Sequence, residues 1–151
     1  DLSSLKGLGK VTSPFYTEFS FDVDRDLLVK AEKTVSRFVS NLKAKNYPHI
    51  EGEYHPKVYT GAVGTGDQFI ASADGKNGIK NKFQHILCTE MEGAAIAQVA
   101  ADYGLPCTAI RIISDKADEQ ANELFVKFLF GNIGHISVEI AKLFFEDSSN
   151  I

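Results

Sequence analysis

Apolar positions after Asp24 recur at intervals of three and four: Leu27, Leu28, Ala31, Val35, Phe38, Val39 and Leu42. This spacing predicts an amphipathic helix, with Asp24 or Asp26 as N-cap and acidic first turn. A polar stretch over 46–56 breaks the pattern, and residues 57–63, β-rich and bounded by glycines, read as a strand. Residues 86–90 form a second short apolar run, and 91–103 is Ala-rich, so a strand followed by a helix is expected, with Gly104 and Pro106 stopping the helix. Residues 107–113 are apolar and β-branched, as in a strand covered on both faces. From 121 to 145, Phe125, Phe128, Leu129, Ile133, Ile136, Ile140, Leu143 and Phe144 share one face of a long helix, with Gly131 and Gly134 placed to bend it. Residues 1–20, rich in Ser, Thr, Gly and Pro, read as an irregular lead-in from the middle of a domain, with one short strand near 15–21. Helices alternating with strands predict an α/β fold built on a mixed, mostly parallel sheet flanked by helices, with no internal repeat.

Length and composition narrow this picture. The 151 residues make one domain at most, with 21–151 as the C-terminal part of it. With 44% apolar and 24% charged residues, disorder, collagen and coiled coil are set aside. The net charge of −4, with Lys and Arg scattered, lacks the basic stripe that nucleic-acid binding needs. No apolar run approaches the roughly 20 residues of a membrane span, because Lys127 and the polar 131–135 region interrupt the richest stretch. Cys88 and Cys107 lie in apolar segments without disulfide-like spacing, which predicts two buried thiols in a reducing, cytoplasmic setting. The chain starts Asp1-Leu2-Ser3, with neither Met nor a signal pattern, and reads as cut from something longer.

In an α/β sheet, ligands collect at the carboxyl ends of the strands. Here those ends carry Gly64-Thr65-Gly66-Asp67-Gln68-Phe69-Ile70, Glu90-Met91-Glu92-Gly93 and Ser114-Asp115-Lys116-Ala117-Asp118, the contents of a small-molecule pocket. Glu92 would lie in the first turn of its helix, where the dipole favours the ionised form; it either complements that dipole or accepts hydrogen bonds from a vicinal diol such as ribose. Glu90 and Glu92, two residues apart, are costly on one face without partners, which favours a functional role. Asp115 is either a desolvated general acid oriented by the Ser114 hydroxyl or, like Ser114 and Asp118, a cap for the next helix. Phe69 and Met91 offer surfaces for an aromatic base or a sugar face, or else pack in the core. Gly64-Thr65-Gly66 opens like a dinucleotide fingerprint, but Phe69 stands at the third glycine position and no phosphate-loop lysine follows. His49, His55, His85 and His135 have no metal-ligand spacing with one another or with the cysteines, so no metal is expected. Neither a GxSxG elbow nor a Cys-His pattern is apparent, which lowers acyl-transfer and thiol-protease readings, and no cofactor is expected.

These three blocks, Thr65 to Ile70, Thr89 to Val99 and Arg111 to Asp118, resemble bacterial 5′-methylthioadenosine/S-adenosylhomocysteine nucleosidases of the nucleoside phosphorylase superfamily, in the family's order and spacing. The resemblance runs from about residue 20 to about 146. It implies hydrolysis of the bond between adenine and the ribosyl carbon through an oxocarbenium-like transition state. Asp115 would protonate adenine N7, with Ser114 positioning it, a general acid step typically worth about 10²–10⁴-fold. Glu92 would hold the ribose diol, Arg111 would help hold the attacking water, and Met91 would pack on the sugar. Phe69 would stack on adenine while the Ile70 main chain reads its edge, and Phe125 would wall the alkylthio end. Glu90 and Ala117 complete the implied substrate-binding set.

Nothing in residues 1–20 matches the family's N-terminal half, which carries the first strands of the sheet, the water-activating Glu and a Ser near the ribose. The expectation is therefore a fragment that is a poor catalyst alone, with an exposed sheet edge, completed by the N-terminal half of the parent protein, within it or as a separate chain. A homodimer in methionine salvage is also implied. A purine nucleoside phosphorylase of the same fold, or an inactive storage or binding member, are the competing readings.

Overall fold

The computed structural model describes residues 20–44, 47 and 56–146. The expected lead-in, most of the short strand near 15–21 and nearly all of the 46–56 break lie outside these residues. Helix α1 spans Arg25–Lys43, and the Asp24 carboxylate caps it by accepting from the Leu27 N–H at 2.9 Å, with Asp26 in the first turn. Its apolar stripe packs on the last helix: Phe38, Ile136, Ile140 and Leu143 form the core, flanked by Val35, Val39, Leu42, Ile110 and Ile112. Tyr47 stacks on Phe38 with ring centroids 5.3 Å apart.

Strands β1 (Ala62–Thr65) and β2 (Ile86–Glu90) pair in parallel, with Val63 opposite Cys88, Gly64 opposite Thr89 and Thr65 opposite Glu90. A register shift falls between Ala62 and Val63. The first strand is thus shorter and later than the 57–63 expected, because only residues reaching the β2 ladder acquire strand hydrogen bonds. The connection between them contains a helix the sequence reading omitted, α2 (Ala73–Lys82), capped by Ser72, whose Oγ accepts from the Gly75 N–H at 3.1 Å.

Helix α3 spans Gly93–Asp102 and packs on β1. It ends as expected at Gly104, which takes a left-handed φ of 62°. The Leu105 N–H donates to the Ala100 carbonyl at 2.8 Å and the Gly104 N–H to Ala101 at 3.1 Å, the paired bonds of a Schellman end.

Two expectations need correction. Residues 107–113 are not a strand: they have no ladder partner among the described residues, and β-branched composition cannot create one. One bond, from the Asp24 N–H to the Cys107 carbonyl at 2.8 Å, ties the start of this segment to α1. The single long helix over 121–145 is two, α4 (Ala121–Leu129) and α5 (Ile133–Glu146), turned 64° from each other. A Cβ at Gly131 would stand 3.1 Å from the Lys127 carbonyl, so the turn uses the glycine's missing side chain. Among the described residues no single helix is long and apolar enough to cross a membrane.

Candidate functional site

The β2–α3 junction is the most densely bonded part of the site. Glu90, the last residue of β2, accepts from the Gly93 N–H at 2.9 and 2.7 Å and from the Glu92 N–H at 3.1 Å. Its carboxylate also takes the Thr65 hydroxyl and pairs with the Arg111 guanidinium. Burial pushes the Glu90 carboxyl up, but the Thr65, Glu92, Gly93 and Arg111 contacts outweigh it and hold the group below the usual carboxylate range. A Cβ at Gly93 would stand 2.8 Å from Glu90 Oε1 and 3.1 Å from Arg111 Nη2, so the bare backbone lets the ion pair close over the helix start.

Glu92 occupies the N-cap of α3 rather than its first turn, and its exposed side chain makes no capping bond. The partners demanded by two neighbouring carboxylates therefore go to Glu90. Met91 lies between them, 43% exposed. Arg111, from the extended 107–113 segment, keeps its Nε–H buried and without a partner among the described residues. Cys88 sits nearby: burial raises its thiol pKa more than Arg111 lowers it, and Glu90 adds to the rise. Both cysteines are free, but half-buried rather than buried.

The Ser114–Asp118 turn forms the second cluster. The Ser114 hydroxyl donates to Asp115 Oδ2 at 2.6 Å, and the Ala117 N–H donates to Oδ1 at 2.8 Å. Asp115 therefore belongs to a side-chain-closed turn and does not cap a helix, since α4 begins at Ala121 after Gln120. Ala117 closes the turn at φ 51°, a left-handed conformation uncommon for a residue with a Cβ. Asp118 accepts from the Gln120 N–H at 3.1 Å.

The third cluster is aromatic. Phe69, beyond β1, and Phe125, on α4, meet edge to face with centroids 5.7 Å apart, both partly exposed. Ile70 is half-buried beside them in sequence. Two contacts absent from the sequence reading bind this region to the acidic turn: Lys76 Nζ donates to the Lys116 carbonyl at 3.0 Å, and the Ala73 N–H donates to Glu119 at 2.9 Å. That bond holds the exposed Glu119 carboxyl below its ordinary range. The structure thus joins Glu90 to Arg111, Ser114 and Ala117 to Asp115, and Phe69 to Phe125. Thr65, Lys76 and Glu119 were missed because their roles depend on tertiary contacts, although Ser72 followed by Asp74 was a readable cap for α2.

An apolar groove of about 410 Å³ lies elsewhere, between 106–112 and α5, lined by Leu27, Ile110, Ile112, Ile140 and Phe144 among others. None of the candidate residues lines it, and its walls carry no convergent ionisable groups.

A strand-end cluster of this kind, on a small parallel sheet packed by α3, fits the chain's kinship. The chain belongs to the phosphorylase superfamily, whose sequence model matches residues 6–139. It is 40% identical over 80 residues to an aminodeoxyfutalosine nucleosidase of Helicobacter pylori, covering 53% of this chain and 34% of that protein. Against a 5′-methylthioadenosine/S-adenosylhomocysteine nucleosidase of Bacillus cereus it is 36% identical over 80 residues, covering 53% and 35%. The fold is similar to the nucleosidase of that name from Neisseria meningitidis, solved in complex with methylthio-immucillin-A, with TM-score 0.72, 27% identity and coverage of 97% of this chain and 56% of that one. The matches thus span about a third of the curated relatives' length and about half of the solved chain's.

Proposed function

We propose that the chain holds the purine and ribose of a thioadenosine for hydrolysis of its N-glycosidic bond, with 5′-methylthioadenosine and S-adenosylhomocysteine as substrates. The observation that carries this reading is the acidic turn: a half-buried Asp115, fixed by Ser114 and Ala117, on a loop tied to the helix that follows Phe69. In this reading the purine lies against Phe69, with Ile70 at its edge, and Asp115 passes a proton to N7 as the bond to the ribosyl carbon breaks. Glu92 accepts the ribose hydroxyls, Met91 lies under the sugar, and Phe125 borders the 5′ group. Water adds to the ribosyl carbon, giving up its proton to the water-activating Glu that the family's N-terminal half carries, with Arg111 helping to hold it. Glu90, fully engaged by Arg111, Thr65 and α3, supports the ribose side without needing to touch it.

The 40% identity over 80 residues to an aminodeoxyfutalosine nucleosidase favours aminodeoxyfutalosine as a second substrate. Under this proposal the chain acts with a further segment that completes the sheet beside 107–113, in a homodimer and in a reducing compartment. The lack of a ladder partner for 107–113 among the described residues supports the first of these. The test is adenine release from methylthioadenosine, S-adenosylhomocysteine and aminodeoxyfutalosine by the complete protein, with and without phosphate, alongside intact mass and light scattering. Phosphate-independent release is expected. Strict phosphate dependence would make it a phosphorylase, and binding without turnover a storage member.

A further inference from the structure

The acid at the N-cap of α3 does not cap. A short N-cap side chain such as aspartate turns onto the N–H of the second or third helical residue, here Ala94 or Ala95, and the longer glutamate reaches the same groups only where they are open. The Ala94 N–H instead donates to Thr65 Oγ1 at 2.9 Å, and the Gly93 N–H donates to both oxygens of Glu90. Thr65 comes from the end of β1, opposite Glu90 in the ladder, and its own proton goes to Glu90, which leaves its lone pairs facing Ala94. Glu90 is paired with Arg111. The Gly93 and Ala94 N–H groups are therefore taken by β2 and β1, and the Glu92 side chain stands exposed without a capping bond.

We infer that Thr65 is a positioning residue: by occupying the Ala94 N–H it keeps the Glu92 carboxylate out of the helix and directed to a ligand's vicinal diol. The ligand part of this inference rests on the nucleoside reading above. The positional part does not.

Thr65→Val keeps the shape and removes the acceptor, opening Ala94 to Glu92. In the complete protein, the affinity for methylthioadenosine is expected to fall about tenfold, the scale of one charge-assisted hydrogen bond, while adenine alone binds within twofold of the parent. Thr65→Ser, which keeps the acceptor, is expected to restore the ratio. Adding Glu92→Gln to Thr65→Val is expected to cost less than threefold more. Independently of any ligand, the Ala94 amide, followed by NMR, is expected to respond more strongly to Glu92→Gln in the Thr65→Val protein than in the parent. Equal loss of adenine and nucleoside binding, or an Ala94 amide no more sensitive to Glu92→Gln in a folded Thr65→Val or Thr65→Ala protein, overturns the inference. If the parent releases no adenine, the nucleoside reading fails, and the Ala94 amide still decides the role of Thr65.

Discussion

The β2–α3 junction and the 107–118 segment, joined by the Arg111–Glu90 pair, carry neighbouring parts of the candidate site and are held in opposite ways. At the junction, ladder bonds, a parallel register and a five-contact carboxylate fix each atom through the backbone. The 107–118 segment has no ladder among the described residues, and side chains hold it: Arg111 to Glu90, Ser114 to Asp115, and Lys76 and Glu119 reaching across from and to α2. The junction's bonds tie a helix start to the sheet, whereas the loop's bonds only shape a turn at the edge of it. Function and stability are therefore expected to separate, with loop changes striking turnover and junction changes striking the fold.

The largest expected effect is on the loop. Asp115→Asn lowers adenine release by about 10²–10⁴-fold, with melting temperature and circular dichroism close to the parent; near-normal turnover would take Asp115 out of the mechanism. Glu92→Gln comes next, weakening nucleoside binding by about 1.5–3 kcal/mol for a lost charge-assisted acceptor. A change in melting temperature alone would mean that Glu92 serves the helix.

At the junction, Glu90→Gln should cost about 1–3 kcal/mol of stability by leaving bonded partners unsatisfied, read from denaturant unfolding. Because the folded Glu90 pKa is depressed, its contribution is complete above the unfolded carboxylate value of about 4.3 and fades as pH falls through the lower folded value. The gap between parent and variant should thus close below about pH 4; a gap constant with pH would mean that the charge is immaterial. The smallest pair concerns Gly104 and Ala117, the two left-handed residues among those described. Gly104→Ala should destabilise by about 1–2 kcal/mol, whereas Ala117→Gly should change stability by less than about 1 kcal/mol, its relief offset by unfolded-state entropy.

The sequence made α1, β2 and the stop at Gly104 legible because their signals are local: a period of three and four, a short apolar run, a glycine in the capping place. It misled at 107–113 and 57–63, where strand identity depends on a ladder partner that composition does not reveal. The break between α4 and α5 was foreshadowed by Gly131, though its angle was not. For the site, the residue types were readable and the division of labour was not. Two acids spaced two apart look alike in a string, yet one is consumed by Arg111, Thr65 and the helix start while the other is left outward. That distinction depends on Thr65, 25 residues before Glu90.

The fastening of Lys76 to Lys116 and of Glu119 to Ala73 has a mechanical consequence. These two bonds clasp α2 to the turn bearing Asp115. Under the proposed reading, the ring that stacks on the purine and the acid that protonates it would be set by one fastening, so their alignment would not depend on what fills the 5′ end.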